Sequence, residues 1–328
     1  MSYQTEQQTV GSPPKNALHG RRALSLALVV ATGMAMLLEG TIGSVVLAET
    51  VTADVLLRGG TIYDGAGSEG AIGDVAIRGD RIVAVGRFEA GRVGRTIDCK
   101  GMVVAPGFID LHTHTDRTII KDKTRDNLNY TTQGCTTVVT SNCGGGPVDV
   151  GAFLKKVDEA GAGTNIVALA AHGSIRRKVM KSENRAPTPV EMDEMKRLVD
   201  RAMRDGAWGM STGLIYVPGI FAQTDELVEV AKVVASHGGV YASHIRDEAD
   251  DLIPALDEAV EIGRRADVPV HIAHFKSCGK PNWGRLRDAV ERIEKARARG
   301  VVVTVDQYPY VATSTSLVDT LMRATLIP

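Results

Sequence analysis

Two periodicities alternate along most of this chain. Short runs of Val, Ile, Ala and Met end in polar residues, and between them lie longer stretches whose apolar positions recur every three to four residues. The strand-like runs from residue 103 onward are "MVVAPGFIDLHTH", "CTTVVTSNCG", "NIVALAAHGS", "GAWGMSTGL", "GVYASHIRDE", "VPVHIAHFK" and "VVVTVDQYPY". Helical patterns fill several of the gaps. In "TPVEMDEMKRLVDRAMRDG", Thr188 is placed to cap a helix with Pro189 at its first position. "DDLIPALDEAVEIGRRA" is a second. Strand and helix in strict alternation predict a parallel sheet with right-handed crossovers. Seven such strands suggest an eight-stranded α/β barrel one unit short, in which chemistry gathers at the C-terminal ends of the strands. Each strand run here begins apolar and finishes with His, Cys, Lys, Arg or Asp.

The segment before this series has a different pattern. "ADVLLRGGTIYDGAGSEGAIGDVAIRGDRIVAVG" alternates β-rich runs with Gly/Asp turns, which predicts a small antiparallel β domain over residues 53–104, followed by the barrel over 105–328. Gly65-Ala66-Gly67-Ser68-Glu69-Gly70 fits the dinucleotide pattern G-x-G-x-x-G. A strand-like run follows it where such a site needs a helix, so it reads as a hairpin loop. Further upstream, Arg21-Arg22 precedes sixteen uncharged, mostly apolar residues, Ala23 to Leu38, and Val46-x-Ala48 offers a small-residue cleavage site. Residues 1–48 thus read as an export signal, or as an uncleaved N-terminal anchor, and the paired arginines suggest the twin-arginine route to a periplasmic or extracellular location.

Composition removes other classes. With 38 Lys+Arg against 39 Asp+Glu in 328 residues, the net charge is -1, which leaves no basic footprint for nucleic acid and no polybasic membrane patch. Cys99, Cys135, Cys143 and Cys278 are scattered without repeating spacing, so no disulfide framework is expected. Membrane contact is expected only if the N-terminal segment stays attached, and no pattern encodes an oligomeric state.

The candidate chemistry lies at the strand ends. Alternation along a strand puts Asp110, His112 and His114 of "PGFIDLHTHTD" on one face. The same test on "VPVHIAHFK" groups Val270, Ile272, His274 and Lys276 and sends His271 to the opposite face, so only His274 should enter the barrel. In "GVYASHIRDE" it groups Ala242, His244 and Arg246. Any one of these histidines alone is readily a strand-end or core residue, and Cys143 alone a small buried hydrophobe. Together, His112, His114, Cys143, His244 and His274 are borderline and soft ligands where a barrel brings strand ends together. Imidazole with thiolate favours Zn²⁺ over Mg²⁺ or Ca²⁺. Such an ion would activate water and polarise a carbonyl, which suits amide hydrolysis.

From residue 53 onward, "PGFIDLHTHTD", "SNCGGGP", "AAHGSIRRKVM", "GMSTGLIYVPG", "YASHIRDE", "IAHFKS" and "DQYPYVA" occur in that order, and in this the chain resembles the N-acyl-D-amino-acid deacylases (D-aminoacylases) of the amidohydrolase superfamily. The resemblance implies a metal-dependent (β/α)8 barrel with a small N-terminal β-sandwich. It implies zinc-dependent cleavage of N-acyl-D-amino acids into a carboxylate and a free D-amino acid. It further implies one zinc held tightly by Cys143, His244 and His274, and a weaker site of His112, His114 and the same thiolate. "GAWGMSTGL" has no lysine of the kind that, carboxylated, bridges the metals of many amidohydrolases, and the thiolate would take that place. Lys276, and by resemblance Tyr216, are candidates to meet the substrate carboxylate. Arg246 and His172 are weaker candidates, expected to be structural.

In this family a strand-8 aspartate binds the weaker metal and acts as general base. The chain ends at Pro328 ahead of such a strand, and Asp306 belongs to the strand-7 motif, so no residue is assigned the catalytic proton transfer. The expectation is a barrel truncated before strand 8, an incomplete β domain, and a polypeptide that alone binds zinc poorly and has little activity. Two other readings stand beside it. A cyclic-amide hydrolase of the dihydropyrimidinase type would need the absent strand-4 lysine. A non-catalytic metal-binding remnant would lack the aspartate, as this chain does.

Overall fold

The computed structural model describes residues 50–315. The export-signal reading of residues 1–48 lies outside the described residues. In the first part of the chain, β1 (Val51–Ile62), β2 (Ala71–Arg78), β3 (Arg81–Gly86), β4 (Ala90–Asp98) and β5 (Val103–Val104) form one sheet in the order β3-β2-β1-β4, with β5 also against β1. β1–β2 and β2–β3 are antiparallel. β4 and β5, however, run parallel to β1, so the sheet is mixed and not wholly antiparallel as expected. The chain crosses back to the free edge of β1 instead of extending beyond β3. A single sheet around Ala53, Leu56 and Ala76 is what the described residues contain here, and a β-sandwich is not seen among them. Residues 63–70 join β1 to antiparallel β2 with the Asp64 carboxylate accepting the Ala66 N–H, so the glycine pattern is a hairpin loop, as its flanking strands predicted.

"MVVAPGFIDLHTH" divides into two strands. β5 stays with the first sheet, and β6 (Phe108–Asp110) opens the second series. Pro106 lies between them and has no N–H to offer either ladder. β6 pairs with β7 (Cys135–Thr140) and β7 with β8 (Asn165–Ala168). β9 (Ala170–Ala171) pairs with β10 (Gly209–Gly213), followed by β11 (Val240–His244), β12 (Val270–Ile272) and β13 (Val303–Val305). All these pairings are parallel. Only Leu169 separates β8 from β9, so they act as one interrupted strand and the run proceeds in chain order, as the seven strand-like segments predicted.

The helices are α1 (Leu128–Thr131), α2 (Val150–Ala160), α3 (His172–Met180), α4 (Pro189–Arg204), α5 (Thr224–Ser236), α6 (Leu252–Ala266) and α7 (Leu286–Ala298). The Thr188 hydroxyl and the Glu191 carboxylate close a capping box on α4, with Pro189 in its first turn. The apolar stripes of α4, α5 and α6, among them Met195, Val199, Leu227, Val234, Leu256 and Ile262, join the strands in one core. Every residue of β10 is buried, the signature of a parallel strand covered on both faces. None of the described helices is long and apolar enough to cross a membrane.

One polar group is sunk in this core. Glu226 of α5 accepts from Arg176 Nε at 2.9 Å and from His172 Nε2 at 3.0 Å, with both partners on α3 fully buried. Removing one partner from a buried pair strands the other charge without water. Glu226→Gln keeps the volume and removes the charge. It is expected to lower the unfolding free energy by about 3–5 kcal/mol, read from urea denaturation midpoints against the parent chain.

Candidate metal centre

The C-terminal ends of β6, β7, β11 and β12 carry the five metal-ligand candidates, but only His244 is within a strand. β6 stops at Asp110, whose carboxylate accepts the His112 N–H at 3.0 Å. His112 and His114 therefore lie on the following turn, and their rings meet edge to face with centroids 5.5 Å apart. The expected common strand face for Asp110, His112 and His114 is thus replaced by loop geometry. Cys143 comes three residues after β7 with a φ of +54°, and His274 lies two residues after β12 with a φ of +36°. Non-glycine residues adopt this left-handed region at a cost of order 1–3 kcal/mol each, and they persist where the surroundings over-determine them.

Those surroundings are visible. The Asn142 amide donates to the carbonyls of Leu111, Thr113 and Val139, tying the histidine turn to the Cys143 loop. Ser211 of β10 accepts from the Gly144 N–H and donates to the Ser141 carbonyl. At Gly144 the φ is +70°, and a Cβ there would come within 2.9 Å of the Gly213 nitrogen. The glycines after Cys143 thus admit close backbone packing.

These pins bring Cys143 Sγ to 3.4 Å from His112 Nε2, 3.5 Å from His244 Nδ1 and 3.8 Å from His274 Nε2. His244 Nδ1 and His274 Nε2 are 2.9 Å apart. For a tetrahedral zinc with Zn–S near 2.3 Å and Zn–N near 2.0–2.1 Å, ligand separations of about 3.6 Å (S to N) and about 3.3 Å (N to N) follow. The trio Cys143, His244 and His274 fits with a small opening of the two rings, and His112, His114 and Cys143 form a second convergent group. Both groups use the same sulfur.

Electrostatics favour a cation here. Burial, then the Asp306 and Glu248 carboxylates, push the Cys143 thiol well above its usual range. Burial, then neighbouring His274, hold His244 well below the usual imidazole range. The pocket therefore resists both a bare thiolate and an imidazolium, while a bound divalent ion would reverse the first preference. Glu248 accepts from His274 Nδ1. Because an ionised carboxylate only accepts, this puts the proton on Nδ1 and leaves the Nε2 lone pair facing Cys143. Burial acts to raise the Glu248 carboxyl, but the His274 hydrogen bond and the positive surroundings outweigh it and hold it at about 2.

The remaining candidates are engaged in different ways. Lys276 Nζ sits 2.7 Å from Glu248 Oε1 and 3.1 Å from His274 Nδ1, beside the ligand cluster. The Tyr216 ring packs edge-on against His244 with centroids 4.9 Å apart, and its hydroxyl is 3.2 Å from that of Thr315. Tyr216, Cys143, His114, Arg117 and Arg177 line a cavity of about 700 Å³. Arg246 is held by Glu258 and by the carbonyls of Ile220 and Ala222, and His172 by Glu226. His271 departs from the alternation argument. Its Nε2 lies 2.8 Å from Asp306 Oδ2, so it joins the same polar network as His274. Strand periodicity ceases at Ile272, and His274 reaches the site through its left-handed turn. Glu248, Asn142 and Ser211 were not singled out from sequence. The carboxylate of Glu248, four residues past His244 in "HIRDE", was the one signal present.

Two outcomes are expected. Because burial keeps the metal-free Cys143 thiol protonated, zinc binding should release about one proton per ion, measured calorimetrically in buffers of different ionisation enthalpy. Cys143→Ala should abolish that release. The folded-state pKa of Glu248, about 2, lies below the roughly 4.3 of a free glutamate, so the native state binds fewer protons. Its contribution to stability is present above about pH 4.3 and lost as pH falls toward 2. Urea unfolding of the metal-free chain should show this decline, and Glu248→Gln should flatten it.

Comparison with known proteins agrees with this arrangement. A model of the Amidohydrolase family matches residues 95–305. D-aminoacylase of Alcaligenes xylosoxydans xylosoxydans is 41% identical over 287 residues, covering 80% of this chain and 59% of that protein. A crystal structure of D-aminoacylase superposes with a TM-score of 0.76 at 40% identity over 80% of this chain and 59% of that one. N-acyl-D-glutamate deacylase from Bordetella bronchiseptica, solved with zinc and a phosphonate mimic of the tetrahedral intermediate, gives 0.76 at 35% identity over 79% and 59%. The chain thus spans about 59% of the length of these relatives. With a matching family model over most of the described residues and a thiol–imidazole cluster at the strand ends, the chain belongs to the amidohydrolase family.

Proposed function

We propose that this chain carries the metal-binding part of a zinc-dependent hydrolase that cleaves the amide bond of N-acyl-D-amino acids. The observation that carries the reading is the convergence of Cys143 with His244 and His274 on one side and with His112 and His114 on the other. Similarity to D-aminoacylase and to the zinc-bound glutamate deacylase supports the substrate class. The parallel run of strands is then the greater part of a (β/α)8 barrel and the N-terminal sheet part of a β-sandwich, with residues 1–48 directing export.

Zinc, when bound, would supply hydroxide at neutral pH and polarise the scissile carbonyl. Cys143, His244 and His274 would hold the tighter ion, and His112, His114 and the shared thiolate a second. Lys276 presents an ammonium beside the cluster and Tyr216 a hydroxyl in the adjoining cavity, and these would receive the substrate carboxylate. Glu248 and Asp306 each place an oxygen on the histidine nitrogen turned away from Cys143, and neither is assigned the proton transfer. The cyclic-amide alternative has less support. β10 offers no lysine, and hydantoinase structures near 18–19% identity share the fold alone.

The test is turnover of N-acetyl-D-methionine against its L enantiomer by the product of the whole reading frame, alongside its Cys143→Ala variant and a chelator-treated sample. Release of D-methionine that depends on zinc and falls by at least about 10²-fold in the variant is expected. Full activity and full metal content in the variant would sink the zinc–thiolate reading.

A further inference from the structure

Asp306 follows β13 by one residue, at the far end of the parallel run from β6, yet its carboxylate touches both halves of the metal cluster. Oδ2 lies 3.2 Å from His112 Nδ1 and 2.8 Å from His271 Nε2, and Oδ1 accepts the His274 backbone N–H at 2.6 Å. The carboxylate is held from three directions. His271 is itself fixed by the Thr304 hydroxyl, 2.8 Å from its Nδ1. An aspartate carboxyl is ionised at neutral pH.

An ionised carboxylate has no proton to give, so both imidazoles must donate to it. For His112 this places the proton on Nδ1. The lone pair is then on Nε2, the nitrogen 3.4 Å from Cys143 Sγ. Asp306 does not itself face the position of an ion beside Cys143, because the imidazole of His112 stands between them. The arrangement repeats that of Glu248 on His274, where a carboxylate on Nδ1 again turns Nε2 toward the same sulfur. Each half of the cluster thus has its own orienting carboxylate, and among the described residues Asp306 reaches both, through the His112 ring and through the amide of His274, whose φ is +36°.

We propose that Asp306 is a positioning residue for the second metal position: it sets the His112 tautomer and ring angle that present Nε2 to the ion shared with Cys143, and it ties that ring to the backbone of His274. This rests on the metal reading of the site given above. It concerns an orienting role and assigns Asp306 neither to the metal nor to proton transfer.

The informative variant is Asp306→Asn. The His274 N–H needs an acceptor, so the amide oxygen stays there and the NH₂ group turns to His112 Nδ1. His112 must then accept on Nδ1 and carry its proton on Nε2, against the metal position. The experiment titrates Co²⁺ into the metal-free 328-residue chain and the variant, following thiolate-to-cobalt charge transfer and the second binding step, with thermal unfolding in parallel. Loss of an outer carboxylate of this kind costs about 10–100-fold in metal affinity. That weakening is expected in the second equivalent, while the first keeps its affinity and its charge-transfer band. Equal weakening of both equivalents together with a lowered unfolding temperature, or no change in the second, overturns the proposal. Independently, ¹⁵N NMR of the metal-free parent chain should show His112 protonated on Nδ1, and protonation on Nε2 overturns the proposal even if the variant fails to fold. If the 328-residue chain takes up no metal, as is expected of it alone, the tautomer measurement still decides what Asp306 does to His112.

Discussion

A single sulfur organises this protein. Cys143 Sγ lies within 3.8 Å of ring nitrogens from His112, His244 and His274, which reach it from three different strands besides its own. Bringing them together conflicts with ordinary backbone and solvation preferences. Ser141, Cys143 and His274 all take left-handed conformations, and burial resists charge on both the thiol and His244. Strain of this kind persists only where the surroundings over-determine it. The three carbonyls held by Asn142, the clamp of Ser211 on the Cys143 loop, and the carboxylates of Glu248 and Asp306 do so here.

The parallel strands make that possible by being rigid and dry. The residues of β10, and all of β11 but Val240, are buried, and the chain departs from regular structure past the strand ends, where polar groups are needed. The same region shows why a buried histidine is not in itself a ligand. His172 emerges at the end of β9, but Glu226 takes its Nε2 in a fully buried pair shared with Arg176. His274 has its carboxylate on Nδ1 and keeps Nε2 toward sulfur. Which ring nitrogen the carboxylate takes, and what the other one faces, separates a structural imidazole from one available to a metal.

The chain belongs to the amidohydrolase family, and the cysteine gives its cluster a particular character. β10 contains Gly, Met, Ser and Thr only. The thiol of Cys143 stands in both convergent groups, so one sulfur is common to them.

Much of this was legible without coordinates. The alternation of apolar runs and helical stripes determined a parallel α/β series, because strands buried on both faces and helices buried on one leave different periodicities. The identities at the strand ends determined the donor set, since Cys and His together select a narrow range of ions. Periodicity gave out where the strands did. Alternation placed His271 away from the site and His112 with His114 on one strand face, yet β12 ends at Ile272 and β6 at Asp110. Beyond those points backbone dihedrals, and no repeating pattern, direct the side chains. The pairings of Glu248, Asn142 and Asp306 were hidden too, because a hydrogen bond such as that between His112 and Asp306 spans 194 residues and exists only once the sheet has brought its ends together. The sequence by itself determined which atoms could bind a metal and on which ends of which strands they would lie. Only the tertiary structure decided which nitrogen of each imidazole faces the sulfur, since that depends on carboxylates contributed by distant turns.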